Sequence, residues 1–436
     1  MYPLTLDLID FLLSPPARES LADLSGVDLS DRQTLPVLTS LRASFAPDEG
    51  AALLDQARLR HRAADKFPNA EQLLFTDEAL QQASSRAVAA YRAGELAAAL
   101  HSTPSSPARV ADLGCGIGAD TIALAEAGLH VLAVERDPVR ARIAQINVAA
   151  LGLAERVEVR WADWTTLALT PTLSQRERGS EKSVLSQGER ESGSGPLSPW
   201  ERVGVRVSAA FIDPSRRMGA RRIFNFEEMD PPLATIRALA ERLPAIAVKT
   251  MPGIADIDIP ADAEVEFISE RGQMKEALLR FGSLRTGAAR RATLLPGPHH
   301  LDSNAPLTDT PATEPAACLL EPDPAVIRAT LVQHLATALD ARQIDPTIAY
   351  LTADHWIDTP FARCWTVLRH GPFHLKTLNR WLREMGAGEV VVKKRGSAID
   401  PDEFRHRLKT TSGGVPLTVF LTRTLGRPWM IVGQER

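Results

Sequence analysis

Cysteine is scarce in this chain. Its 436 residues contain three, Cys115, Cys318 and Cys364, and no two of them stand in a Cys-x-x-Cys spacing. Three isolated cysteines exclude a disulfide framework and a cysteine-rich zinc site. This usage is typical of a reducing compartment, so we predict a cytoplasmic protein.

Long apolar runs are also missing. The N-terminal stretch MYPLTLDLIDFLL is interrupted by Asp7 and Asp10 and lacks a basic segment, and no other apolar run is long enough to cross a bilayer. We therefore expect neither a signal peptide nor a membrane span. A strong overall charge is absent too, because the formal net charge is −4. That total excludes little until it is divided between regions.

Glycine, in contrast, is concentrated in one stretch, VADLGCGIGAD, from Val110 to Asp120. Apolar residues lead into Gly114, Gly116 and Gly118, and helical spacing follows them. This pattern predicts a buried strand, a tight turn and a helix whose N-terminus faces the turn. Glycine permits backbone conformations that side chains forbid and lets a ligand approach the main chain closely. We expect a small, partly nucleotide-like ligand here.

The pattern on either side of this turn predicts three domains. Residues 1–100 have helical apolar spacing punctuated by prolines, which predicts an N-terminal helical domain. Residues 101–297 alternate strand and helix patterns, as in an α/β fold with a Rossmann-like doubly wound parallel sheet, closed here by antiparallel strands. A Pro- and Thr-rich stretch at 298–320 predicts a linker, and 321–436 predicts an α+β module.

Two stretches carry no expected chemistry. Asp163 and Asp213 are fifty residues apart, and the sequence between them repeats Leu-Ser-x-x-Glu-Arg every twelve residues. Such polar repeats cannot bury a structural layer, so we predict a disordered insertion at 170–206. In the linker, His299 and His300 have no third ligand at a suitable spacing, so we expect no metal site.

Three acids stand at the ends of the first three predicted strands. Asp112 precedes the glycine turn, Glu135 ends the second strand, and Asp163 ends the third beside Trp161 and Trp164. These positions suit, in turn, an ammonium group, the two hydroxyls of a ribose, and an adenine amino group with an aromatic ring over the base. Together they indicate S-adenosylmethionine as the cofactor.

A dinucleotide remains the competing ligand. Gly114, Gly116 and Ala119 satisfy the pattern G-x-G-x-x-G/A, which is compatible with an NAD-dependent oxidoreductase. Dinucleotide-binding turns do not need an acid at the position of Asp112, however. That acid favours S-adenosylmethionine.

Val110–Asp120, Glu135 and Asp163 resemble the first three motifs of class I S-adenosylmethionine-dependent methyltransferases. A wider set of segments resembles the bacterial methyltransferases with a C-terminal THUMP-like domain, over nearly the whole chain except the insertion: KFP, QQASS, FIDPSRR, GQMKEALLRFG, EPDPAVIR, AYLTAD and VVVKKRG. The resemblance implies methyl transfer, with RNA (tRNA or rRNA) as the expected substrate. It also implies that Gln82 and Ser84, in QQASS, contact the methionine carboxylate of the cofactor.

The acceptor side is expected at Asp213, Pro214 and Arg216, in FIDPSRR. Amino-group methyltransferases often have Asn/Asp-Pro-Pro-aromatic here, and Arg216 in the aromatic position can stack on a base or bind a phosphate. Arg217 is a further expected RNA contact. Asp213 would orient the acceptor or take its proton.

The sequence around this site gives one prediction about the chemistry and leaves one alternative function open. The turn after the fifth strand, VKTMPG, has no cysteine, and Cys115 belongs to the cofactor turn. We therefore predict transfer to nitrogen or oxygen without a covalent cysteine intermediate. The departure from the usual acceptor motif leaves a second alternative open, an inactive methyltransferase fold that serves as an RNA-binding scaffold.

Charge is divided unevenly along the chain. From Phe361 to the end there are 14 Lys and Arg against 6 Asp and Glu, a net charge of +8, which leaves −12 for the first 360 residues. This asymmetry predicts a polyanionic partner for the C-terminal module, with Lys393, Lys394 and Arg395 as RNA-binding residues. A solvated basic face is the alternative.

Overall fold

The computed structural model describes residues 3–101, 108–167, 169–171, 205–214, 217–218, 221–222 and 229–435. The chain divides into two compact units. The first contains Met1–Thr250, Ile254–Asp262 and Leu279–Arg285, and the second contains Met251–Gly253, Ala263–Leu278 and Thr286–Arg436. Most of the predicted insertion at 170–206 lies outside the described residues. No helix in the described part of the chain has the length and apolarity to cross a membrane.

Helices fill the first hundred residues. Pro15 and Pro47 occupy the first turns of two of them, where the missing N–H leaves no hydrogen bond unmade. The apolar faces of the first five of these helices share one core, which Ile117 and Ile143 also join. The helices are α1 (Leu6–Leu12), α2 (Pro15–Leu24), α3 (Thr34–Leu41), α4 (Pro47–Ala63), α5 (Asp77–Gln82) and α6 (Arg86–His101).

A parallel sheet forms the centre of the first unit. Its strands lie in the order β9–β6–β1–β2–β3, and α7, α8 and α9 occupy connections between them. This arrangement confirms the predicted doubly wound α/β fold. The elements are β1 (Arg109–Leu113), α7 (Ala119–Glu126), β2 (His130–Glu135), α8 (Pro138–Ala150), β3 (Val157–Trp161), β4 (Leu169–Pro171), β5 (Val205–Val207), β6 (Ala209–Ile212), β7 (Arg217–Met218), β8 (Arg221–Arg222), α9 (Leu233–Ala240) and β9 (Ala245–Thr250).

The strand order reverses at β1, which pairs with β2 on one side and with β6 on the other. At the end of β1, Leu113 lies opposite both Val134 and Ile212. Ligands of open α/β sheets bind in the crevice beyond the carboxyl ends of the strands at such a reversal. Gly114 and Asp213, which directly follow β1 and β6, border that crevice.

The second unit begins with β10 (Glu264–Glu270), β11 (Gln273–Gly282, whose last residues belong to the first unit), β12 (Arg290–Leu295) and β13 (His299–Asp302). Strand β12 pairs in parallel with β10 and antiparallel with β13, so the expected antiparallel closure applies at β13. The stretch expected to be a linker is therefore partly strand. The reason is Leu301, which is buried and pairs opposite Ala292 of β12.

A seven-stranded mixed sheet forms the C-terminal module, as the α+β prediction requires. Its order is β15–β16–β14–β17–β20–β19–β18, and the pair β18–β19 is parallel. The apolar stretch over residues 324–338 forms two helices, which are separated at Thr330 by its left-handed φ of 61°. The elements are β14 (Cys318–Pro322), α10 (Pro324–Arg328), α11 (Val332–Ala338), β15 (Arg342–Asp345), β16 (Ile348–Ala353), β17 (Ala362–Pro372), α12 (Leu375–Glu384), β18 (Ala387–Lys394), α13 (Pro401–Arg405), β19 (Val415–Thr424) and β20 (Arg427–Gln434).

Candidate cofactor and acceptor site

The glycine turn has the backbone that its sequence predicts. Gly114, Gly116 and Gly118 have φ values of 90°, 57° and 91°, in the region that residues with a Cβ rarely adopt. At Gly114 an added Cβ would lie 3.0 Å from the carbonyl oxygen of Asp213. The first glycine is therefore required both by its conformation and by the close approach of the chain that follows β6.

Asp112 lies buried behind this turn, with 1% of its surface exposed. Its Oδ2 accepts a hydrogen bond from the Thr121 hydroxyl, and its Oδ1 is buried with no hydrogen-bond partner among the described residues. Burial, reinforced by the nearby Asp120 and Asp213, raises the pKa of Asp112 to about 8. A ligand ammonium would satisfy both the orphaned oxygen and the missing counter-charge.

Glu135 connects the second strand to the glycine turn. Its Oε2 accepts a hydrogen bond from the Gly116 N–H at 2.9 Å, and its Oε1 accepts one from the Asp137 N–H at 2.9 Å. Each carboxylate oxygen keeps a further lone pair for a hydroxyl donor. Glu135 therefore holds the turn in shape and presents acceptors at the position where ribose hydroxyls are expected.

The third acid has a different environment, because Asp163 is exposed at the start of a single helical turn. Its Oδ1 accepts hydrogen bonds from the Thr165 hydroxyl and N–H at 2.7 and 2.9 Å, and these bonds lower the pKa of Asp163. Trp161 is 70% exposed, and its indole N–H donates to the Arg136 carbonyl oxygen. The predicted adenine contacts therefore lie at the surface.

The two residues expected beside the methionine carboxylate differ in position. The Gln82 side chain is exposed and donates to Glu78 at 3.3 Å, whereas the Ser84 hydroxyl accepts from Arg92 at 2.8 Å. Arg92 also donates to Asp120, the second residue of α7. The structure thus connects Ser84 to the helix that follows the glycine turn, and it directs the Gln82 side chain elsewhere.

The turn that carries Gln82 and Ser84 is fixed by lysines. Lys66 donates to the carbonyl oxygens of Leu80 and Ala83 at 2.9 and 3.0 Å. Lys249 donates to the Gln82 carbonyl oxygen at a longer 3.5 Å. Gln82 therefore contributes its backbone to this network.

The acceptor side pairs Asp213 with Lys249, which is buried in β9. The Lys249 Nζ lies 2.6 Å from the Asp213 Oδ2, and the two side chains are 5% and 27% exposed. Pro214 is buried beside them. Arg216 lies outside the described residues, and Arg217 is described only by its backbone at the start of β7. The expected roles of Asp213, Pro214, Arg216 and Arg217 remain predictions.

Sequence reasoning missed Arg92 and Lys249. Arg92 is 3% exposed, and its guanidinium lies 4.7 Å from the centre of the Phe211 ring. Each residue has a signal in the sequence: Lys249 is the lone charge in the apolar run PAIAVKT, and Arg92 stands in the Ala-rich stretch AVAAYRAGELAAAL. An isolated charge in an apolar segment, as at Lys249, indicates a buried partner, whereas the signal at Arg92 is weaker because Glu95 follows in the same stretch.

The predicted RNA-binding residues do not form one face. Lys393 and Arg395 both reach Glu321, and they lie over the rings of Trp365 and Tyr350 at 4.9 and 5.4 Å. Lys394, between them in sequence, is exposed. Because side chains alternate along a strand, Lys394 projects from the opposite face.

Comparisons with known proteins agree with this geometry. A family described as THUMP domain-like matches residues 362–435, and a domain of unknown function matches residues 5–63. Two uncharacterised S-adenosylmethionine-dependent methyltransferases, from Mycobacterium tuberculosis strains H37Rv and CDC 1551, are each 33% identical to this chain over 396 residues. That similarity covers 88% of this chain and 95% of each relative.

A methyltransferase structure from Porphyromonas gingivalis W83 has the same fold. It is 18% identical, has a TM-score of 0.65, and covers 93% of this chain and 99% of its own. The fold, the orphaned carboxylate of Asp112 and the close relatives agree on one cofactor, and the NAD alternative is set aside. The chain belongs to the S-adenosylmethionine-dependent methyltransferases.

Proposed function

We propose that this methyltransferase acts on RNA, either tRNA or rRNA, and transfers the methyl group directly to nitrogen or oxygen. The observation that carries the RNA assignment is the net charge of +8 on residues 361–436, which contain the THUMP-like match. A phosphate backbone is the polyanion that such a module would bind by neutralising its charge.

The environment of the three cysteines supports direct transfer. All three thiols are buried, and burial raises the pKa of Cys115 well above its ordinary value. Covalent catalysis needs a thiolate next to the reacting carbon. The charged groups at the acceptor end are instead Asp213 and Lys249.

Each part of the site has a role in this proposal. S-adenosylmethionine, when bound, supplies an electrophilic methyl group. Asp112 holds its ammonium, Glu135 accepts from its ribose hydroxyls, and the glycine turn lets it approach the backbone. Asp213 orients the acceptor atom, so the rate enhancement comes from alignment of the reacting atoms and not from a covalent enzyme intermediate.

Transfer of a radiolabelled methyl group to RNA from a strain that lacks the protein tests this function. We expect incorporation that Asp213→Ala reduces by at least about 100-fold, while calorimetry with S-adenosylhomocysteine still shows binding. Asp309→Ala, at an exposed acid of the second unit, is the matched control. Binding of RNA without incorporation would favour the scaffold alternative, and the absence of both would overturn the proposal.

The basic module has a separate test. Changing Lys393, Lys394 and Arg395 together to Ala should weaken RNA binding and flatten its salt dependence, because each lost phosphate contact removes roughly 0.7 to 0.9 from the logarithmic slope. The single variant Lys394→Ala should give most of that effect, since the other two side chains are paired with Glu321. An unchanged slope in both variants would remove these residues from the RNA interface.

A further inference from the structure

Lys249 occupies a buried strand position at which an apolar residue would be expected. The strand around it reads AIAVKT and is buried throughout, and Lys249 is its lone charged residue. Its Nζ lies 2.6 Å from the Asp213 Oδ2, across the pairing of β6 with β9. A carboxylate and an ammonium thus stand side by side at the crevice where the acceptor must enter.

Stability does not explain this pair well. Removing two charges from water costs several kcal/mol per ion, and an apolar pair of similar volume is often as stable or more so. Ion pairs held in a ligand crevice are instead typical of functional sites. Asp213 is about a quarter exposed, so the pair is open toward the crevice and not sealed in the core.

The hydrogen-bonding character of the pair selects between acceptor groups. The amino group of a base presents two N–H donors and needs acceptors, whereas a lysine ammonium is a donor with no lone pair. A hydroxyl presents one donor and two acceptor lone pairs. It can therefore donate to Asp213 while it accepts from Lys249, and it matches both groups at once.

We propose that Lys249 is a catalytic residue and that the acceptor is a hydroxyl, the 2′-hydroxyl of a ribose in RNA. This inference rests on the proposed RNA function. The hydroxyl gives its proton to the Asp213 carboxylate, and its oxygen lone pair forms the bond to the methyl carbon as the carbon–sulfur bond breaks. The sulfur keeps that electron pair, and the products are a methyl ether and S-adenosylhomocysteine.

Lys249 lowers the barrier through charge. As the hydroxyl loses its proton, negative charge develops on the oxygen, and a neighbouring ammonium stabilises it in a site of low dielectric. The proton on Asp213 passes to water after the products leave. Asp213 is 27% exposed, which gives that proton a route out.

Product identity is the first test. Full-length enzyme is incubated with labelled S-adenosylmethionine and RNA from a strain that lacks it, and the digested nucleosides are identified by mass spectrometry. A 2′-O-methylated nucleoside is expected. Methyl groups on bases with unmodified ribose would overturn this inference and leave the RNA function standing, whereas RNA that takes up no methyl group would overturn both.

Variants at Lys249 test its role. Lys249→Met should lower kcat at least 100-fold while the affinity for S-adenosylhomocysteine, measured by calorimetry, changes less than threefold. Lys249→Arg should recover part of kcat, and Lys275→Met, at an exposed lysine of the second unit, should leave it unchanged. Equal losses in kcat and cofactor affinity, or parental kcat in Lys249→Met, would overturn the assignment. If Lys249→Met does not fold, the same comparison is made with Lys249→Arg. A loss of kcat that is larger than the loss of cofactor affinity supports the assignment, and equal losses or parental kcat overturn it.

Discussion

Asp112 lies near the end of β1 and Asp213 directly follows the neighbouring strand β6, and the two side chains have contrasting environments. Asp112 is buried with one orphaned oxygen and a raised pKa, and the nearby guanidinium of Arg92 donates to Asp120. Asp213 is partly exposed and has Lys249 as its own cation. Arg92 only partly offsets the charge of Asp112 because it also pairs with Asp120, so a cationic ligand can add charge there, whereas Asp213 pairs directly with Lys249.

This difference separates the two tasks of the site. A buried carboxylate without an ion-pair partner of its own selects for a positively charged ligand, because that ligand offsets the cost of its ionised form. A carboxylate with a resident cation already has its charge balanced within the protein, and it can accept a hydrogen bond from a neutral acceptor group. Under the proposed function, the cofactor end therefore serves recognition and the acceptor end serves the chemistry.

The largest expected effect comes from removing the charge of Asp112. Asp112→Asn keeps the size of the side chain and the bond from Thr121, yet it should lower the affinity for S-adenosylhomocysteine about 100-fold, which is roughly 2.7 kcal/mol. Calorimetry measures this loss. Asp163→Asn is the comparison, because that acid is exposed. If both variants lose affinity equally, burial does not distinguish the two acids.

A smaller effect is expected where the glycine turn approaches the backbone of Asp213. Gly114→Ala forces a side chain onto a φ of 90° and within 3.0 Å of the Asp213 carbonyl oxygen. We expect it to lower the free energy of unfolding by about 2 kcal/mol or more, as measured by urea denaturation. Gly116→Ala meets nothing within 4 Å, so it should show only the backbone cost. Equal losses in the two variants would mean that the contact with Asp213 is unimportant.

The smallest effect, taken per pH unit, is a dependence of stability on pH. The pKa of Asp112 rises from 3.8 to about 8, so between these values the folded protein binds more protons than the unfolded chain. The free energy of unfolding should therefore fall as pH rises through this window, by at most about 1.4 kcal/mol per pH unit. Urea denaturation at pH 5, 6.5 and 8 measures the slope. Asp112→Asn should flatten it, and an unchanged slope would contradict the raised pKa.

Local patterns in the sequence predicted the alternation of strands and helices and the glycine turn well, because these depend on periodicity and on the conformational freedom of glycine. The ion pair of Asp213 with Lys249 joins residues 36 positions apart, and that of Arg92 with Asp120 joins residues 28 apart. Such pairings depend on how strands and helices are placed in space, which spacing does not give. For the same reason Asp163 was expected in a pocket and lies exposed.

The turn after α5 touches both ends of the site, since Ser84 accepts from Arg92 while the Gln82 carbonyl accepts from Lys249. A ligand that shifts this turn on one side changes the free energy of binding on the other, and that coupling is reciprocal. Under the proposed function, whatever factor the cofactor adds to the affinity for RNA, RNA would add to the affinity for the cofactor. The segment of residues 82–84 would then couple the binding of the two ligands.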